Sequence, residues 1–217
     1  MKAIQAYQDA GSLIRRGLIA HNATHPPRRG RAGDETNYGK EPDTMMNAIE
    51  WPQGYVPGHA DNFTTNEAIV AGLTAAEIWP FLAEAPRWPS YYANSANVRF
   101  HDGDGPTLAL GRRFYFETFG FPIEAEVVEY VAPAGEEPGR VAWHGWAGEG
   151  DTRLDVHHAW LIENLGGGRV RILTQETQNG APAKDMATTR PNPMLNGHQE
   201  WLDGLTAAAR DTAGEGR

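Results

Sequence analysis

Cysteine is absent from this chain, which excludes a disulfide framework, a cysteine nucleophile and any thiolate metal site. Apolar runs of membrane-span length are absent too, and the amino terminus lacks the charged-then-apolar pattern of a secretory signal. The expected location is a bacterial cytoplasm. Basic charge is scarce: 19 Lys and Arg against 28 Asp and Glu leave a formal net charge of -9. Such a surface disfavours nucleic acid and anionic membranes, so small molecules or proteins are the expected partners. No phosphate-binding loop is present, because Gly166-Gly167-Gly168 joins two strand-like runs and opens no helix. Ser12, Ser90 and Ser95 have no nucleophile-elbow context.

What is present suits one sizeable core. With 217 residues, 40% of them hydrophobic, the chain is long and apolar enough for one domain plus an extension. Residues 1–50 read as that extension: Ile4, Tyr7, Leu13, Ile14 and Leu18 make at most a short weak helix. The following His25-Pro26-Pro27-Arg28-Arg29-Gly30-Arg31 is turn-forming and poor in core residues. Met45 and Met46 stand just before the folded texture begins, so a later start than Met1 stays open. The domain is expected over 51–212, with a disordered tail over 213–217.

Within the domain, residues 62–72 read as a strand ending in Ala68-Ile69-Val70-Ala71. Thr74 and Glu77 have the spacing of a capping box, and Ile78, Trp79, Phe81 and Leu82 give the helix after them its buried face. Pro86 and Pro89 break the chain around Trp88, Tyr91 and Tyr92, before a short strand at 97–100. Residues 111–118, 123–131, 140–146, 153–163 and 169–178 then alternate as consecutive antiparallel strands. Asn192 and Pro193 open a long helix, as cap and first-turn proline. Along it Met194, Leu195, His198, Leu202, Leu205 and Ala209 share one arc, which Gly197, Trp201 and Gly204 widen. The two glycines serve either close backbone packing or room for a ligand.

Three stretches carry a family resemblance: Val70-Ala71-Gly72-Leu73-Thr74-Ala75-Ala76-Glu77-Ile78-Trp79, then Arg87-Trp88-Pro89-Ser90-Tyr91-Tyr92, then the closing helix over 192–209. Over about residues 60–210 the chain resembles the SRPBCC superfamily, nearest its polyketide cyclase or dehydratase subgroup. The resemblance implies an α+β helix-grip fold, a curved antiparallel sheet of about seven strands wrapped around the carboxy-terminal helix. It also implies a cavity between the two for a small hydrophobic or aromatic, polyketide-like ligand. The superfamily has no shared catalytic motif, so the fold assigns no activity.

Alternation then decides what faces the cavity. In 153–163 it points Leu154, Val156, His158, Trp160 and Ile162 inward, with Asp155, His157 and Glu163 outward. In 169–178 Val170, Ile172, Thr174, Glu176 and Gln178 face in. A hairpin turning around Gly166 brings His158 close to Thr174, with Glu176 as its diagonal neighbour. Trp143 is taken as inward and His144 with Trp146 outward, and Phe114, Phe116 and Thr118 line the earlier strand. The expected proton-transfer residues are His158, Glu176 and His198. The expected ligand-binding residues are Tyr91, Tyr92, Phe114, Phe116, Trp143, Val156, Trp160, Thr174, Trp201 and Leu202.

No metal and no cofactor are expected, because His157 and His158 point to opposite faces of a strand and no helical histidine pair is present. Three readings follow. One is a cofactor-free enzyme catalysing cyclisation or dehydration by acid/base chemistry. The second is a non-catalytic carrier or sensor of a small molecule or lipid. The third is a protein-interaction module like the superfamily's stress-response members. A homodimer is one option for its assembly.

Overall fold

The structure is a computed structural model that describes residues 46–103 and 105–215. Most of the expected 1–50 extension, and the basic cluster within it, lies outside the described residues. Asn47 and Ile49 do not behave as an arm: Ile49 is buried, and the Asn47 side chain donates to Glu163 at 2.6 Å.

Seven strands form one antiparallel sheet. They are β1 (Asn62–Ala71), β2 (Ser95–Phe100), β3 (Arg113–Thr118), β4 (Phe121–Val131), β5 (Gly139–Ala147), β6 (Leu154–Leu165) and β7 (Arg169–Asn179). The spatial order is β1-β7-β6-β5-β4-β3-β2, so the meander is closed on one side by the first strand, far away in sequence. Among the described residues the helices are α1 (Ala75–Ala83), α2 (Ala181–Thr188) and α3 (Pro193–Glu215), with 3₁₀ turns at Ala85–Ser90 and Gly150–Thr152. This is the expected helix-grip arrangement, the curved sheet holding α3.

The local signals act as read. Thr74 and Glu77 close a capping box on α1, and the Asn192 side chain accepts from the Met194 N–H at 3.0 Å at the start of α3. α3 runs past the expected domain end at 212, because Ala213 continues the buried arc one turn beyond Ala209 and packs on the core. α2 has no counterpart in the sequence reading. With eight residues, of which Ala183 and Met186 are buried, it shows no apolar stripe.

Gly204 and Gly197 of α3 serve close packing, the first against backbone and the second against a ring. A Cβ at Gly204 would lie 2.0 Å from the Tyr91 carbonyl oxygen, and one at Gly197 would lie 2.5 Å from the Phe119 ring. Each glycine forgoes roughly 1 kcal/mol of helix propensity, and contact at this range offsets that cost.

The sheet is covered on both faces. Inside, α1 and α3 bury the main core; outside, Ile49 and Trp51 of the lead-in segment pack on Ala142, Ala159, Leu161 and Leu173. The same segment is pinned by Tyr55, whose hydroxyl meets His144 Nε2 at 2.9 Å, and by Arg140, which donates to the Ala48 carbonyl. β6 is therefore buried on alternate and intervening positions alike.

Candidate functional site

Inner-face positions of β6 and β7 and one turn of α3 bring His158, Glu176 and His198 together, the three residues expected to carry proton transfer. All are at most 5% exposed. Their pairing corrects the expected register. The hairpin is centred on Gly167, not Gly166, so Glu176 stands directly opposite His158 and Thr174 is the diagonal neighbour. Moving the pairing by two residues keeps every side chain on its face, which is why the inward assignments hold.

His158 Nδ1 lies 2.9 Å from Glu176 Oε2, and its Nε2 lies 2.8 Å from the Thr174 hydroxyl. His198 Nε2 lies 3.4 Å from the same carboxylate oxygen without the alignment of a hydrogen bond, while its Nδ1 is 3.3 Å from the Thr64 hydroxyl. The other carboxylate oxygen accepts from Gln178 Nε2. Gln178 Oε1 in turn accepts from Asn62 at 2.7 Å, and Asn62 from Asn192 at 3.0 Å. A relay of amides thus ties the carboxylate to the cap of α3.

Burial disfavours a charged ring and holds His158 down at about 4. Burial alone would raise Glu176, yet the facing His158 and His198 hold it well below the usual carboxylate range. The reading that satisfies the geometry is an ionised Glu176 facing a neutral His158, which donates through Nδ1 and accepts from Thr174. No Lys or Arg lies among the partners described for Glu176.

Indoles surround this group. The His158 ring centroid is 4.6 Å from that of Trp143, 5.5 Å from Trp201 and 5.6 Å from Trp160, and 4.6 Å from the His198 ring. Trp88 packs against Trp143 and Trp201, and Tyr92 stacks on Trp201 at 4.7 Å. Phe114, Phe116 and Leu202 complete the same buried cluster. Val156 is buried beside Gly145, near the start of β6, and Tyr91 lies at the margin with its hydroxyl given to the Phe81 carbonyl. The space expected to be a cavity is filled by these side chains. Two surface hollows, of about 460 and 160 Å³, are lined by Asp102 with 109–112 and by Gly72, Leu73 and Arg210, away from the indoles.

Thr64, Asn62, Gln178 and Asn192 support the site and were not among the expected site residues. Their signal was alternation in β1, where Asn62, Thr64 and Asn66 are buried polar residues at successive inward positions. A polar stripe on the buried face of a strand requires polar partners opposite.

No protein-family model and no curated protein matches this chain. Solved structures do. The hypothetical protein jhp0584 from Helicobacter pylori is 50% identical at a TM-score of 0.73, over 76% of this chain and 98% of that one. Protein MLL2253 from Mesorhizobium loti is 12% identical at a TM-score of 0.50, over 70% of this chain and 98% of that one, a likeness of fold. Norcoclaurine synthase from Thalictrum flavum, 12% identical with a TM-score of 0.48 over 70% of this chain and 96% of its own, is too distant to carry chemistry across. The chain belongs to the family of the Helicobacter pylori protein jhp0584 and has the helix-grip fold.

Proposed function

We propose that this protein binds a small hydrophobic, aromatic molecule between its sheet and α3, and that His158, Glu176 and His198 form the polar centre that meets it. The observation that carries this reading is the placement of a carboxyl group and two imidazoles inside a wall of indoles. A purely structural core would gain more from apolar side chains there, since burying such a group is costly. Flat rings of Trp143, Trp160 and Trp201 suit a planar ligand, and the polar centre suits one oxygen or acidic C–H upon it.

Indoles occupy the volume in this structure, so binding requires one to swing aside. Trp201 is the candidate, because it stands on α3 and not on the sheet. In the enzymatic form of this reading, the centre exchanges a proton with the ligand, as cyclisation or dehydration of a polyketide-like substrate requires. The full enclosure of the centre favours a second form, a carrier that only holds its ligand.

Native mass spectrometry of the purified protein against its denatured mass tests the reading. A mass excess that disappears on unfolding, and that is lost in a folded Glu176→Gln variant, supports it. A protein with no excess that also fails to bind any of a panel of planar aromatic compounds overturns it. Turnover by the wild type and not by Glu176→Gln separates the enzyme from the carrier.

A further inference from the structure

We propose that His158, Glu176 and His198 bind a divalent transition-metal ion of the zinc, cobalt or iron class. This rests on reading the triad as the functional centre, and it names the cofactor that centre takes. Three donor atoms, one from each residue, lie within 4.8 Å of one another and come from three different elements of the fold. The nitrogen-to-oxygen separations of 2.9 and 3.4 Å are those of ligands ~2.1 Å from a common ion and roughly 90–110° apart.

The supporting contacts are those a metal site requires. A ligating histidine needs its second nitrogen held by an oxygen partner, which fixes tautomer and ring direction. Thr174 stands at Nε2 of His158, and Thr64 at Nδ1 of His198, leaving Nδ1 of the first and Nε2 of the second turned to Glu176. Gln178 holds the carboxylate oxygen that does not face the rings. Ion binding moves the His158 proton from Nδ1 to Nε2, where the Thr174 hydroxyl oxygen accepts it, so that each ligand has one donor atom directed at the shared point and its other polar atom occupied elsewhere.

His198 supplies the independent observation. Its Nε2 is fully enclosed and has no hydrogen-bond partner among the described residues, although a carboxylate oxygen is 3.4 Å away. When Nδ1 donates to Thr64, the lone pair on Nε2 faces lone pairs on Glu176, and a cation between them relieves that repulsion. Two nitrogens and one carboxylate match the donor preferences of zinc-class ions and not those of calcium or magnesium, which take oxygen ligands. Three protein ligands leave a position open for water or for a carbonyl or phenolate oxygen of the bound molecule.

The test uses full-length, untagged protein. Its metal content is measured by plasma mass spectrometry as purified, and the protein is then stripped by dialysis against a chelator and titrated with Co²⁺. The expected result is one Co²⁺ per chain with visible d–d absorption, displaced by Zn²⁺, and a higher melting temperature for the loaded protein. Glu176→Gln and His198→Gln, each checked for folding by circular dichroism, are expected to lose the absorption. Thr64→Val, which removes no ligand, is expected to weaken Co²⁺ binding about ten- to a hundredfold. A stripped wild type that takes up no stoichiometric Co²⁺ overturns the proposal, and so does binding that is undiminished in folded Glu176→Gln. The wild-type titration decides the matter even where a variant fails to fold. Organic ligand retained after chelator treatment, with no Co²⁺ uptake, removes the ion and leaves the ligand-binding reading standing; Co²⁺ uptake with no organic ligand does the reverse.

Discussion

Two buried glutamates stand on opposite faces of the same sheet, and they are neutralised differently. Glu163, on the outer face, pairs with Arg171 at 2.6 Å and accepts from the Asn47 side chain at 2.6 Å, while Arg171 also meets Glu67. Glu176, on the inner face, faces two imidazoles and an amide. A guanidinium is a permanent cation, so the outer acid has a fixed counter-charge and a structural task, fastening the lead-in segment to β6 and β7. An imidazole exchanges protons or binds an ion, so the inner acid is held by partners that can change state. Burial is common to both; the type of partner separates scaffold from site.

The largest expected effect breaks the outer pair. Arg171→Met leaves Glu163 buried without its cation, and urea unfolding should show a loss of about 3–5 kcal/mol, with Co²⁺ affinity unchanged in the folded fraction. His158→Phe removes one of two imidazoles from Glu176, which keeps Gln178 and His198. The expected loss is about 3 kcal/mol together with complete loss of Co²⁺ binding, and a variant that kept that binding would erase the distinction drawn between the two acids.

Close approach on the inner side is checked by Gly204→Ala. Helix propensity alone predicts a gain, but the new Cβ meets the Tyr91 carbonyl, and the expected result is a loss of about 2 kcal/mol by thermal unfolding. Equal or higher stability would show that α3 shifts without cost.

The pH dependence of the outer pair is smaller. Burial alone would raise Glu163, but Asn47 and Arg171 hold it below its ordinary value. A carboxyl lowered in the folded state stabilises above its ordinary value, and that contribution is lost as pH falls through the folded value. Glu163→Gln should therefore cost about 1–2 kcal/mol at pH 7 and almost nothing in strong acid, a convergence that urea unfolding across the acid range measures. Smallest of all is His157→Phe. This outer-face ring lies under Trp51 and Tyr55, burial holds it down at about 4, and its Nε2 has no partner among the described residues. The change should stay within about 1 kcal/mol, in contrast to its neighbour on the inner face.

Much of this was legible in the chain. Alternation separated His157 from His158 and Glu163 from Glu176, and it placed Trp160 and Thr174 inside, because a strand has a period of two whatever it pairs with; for Trp143 and His144 it set opposite faces and left open which one is inside. Cap chemistry placed the starts of α1 and α3 for an equally local reason. The amide relay was half visible, as polar residues at inward positions of β1, but its partners on β7 and α3 were not. The outer cluster was not visible either, since Trp51 and Tyr55 precede the sheet by an irregular segment with no period to read.

By itself, then, the sequence determined which residues of a strand share a face and where α1 and α3 begin, properties set within a few residues along the chain, while the helix-grip arrangement was implied by the family resemblance. Only the tertiary structure decided that Glu176 stands opposite His158, that His198 arrives beside them, and that indoles fill the space between sheet and helix. Those depend on the centre of one hairpin and the rotation of one helix, and contacts between distant segments carry no local signature of either.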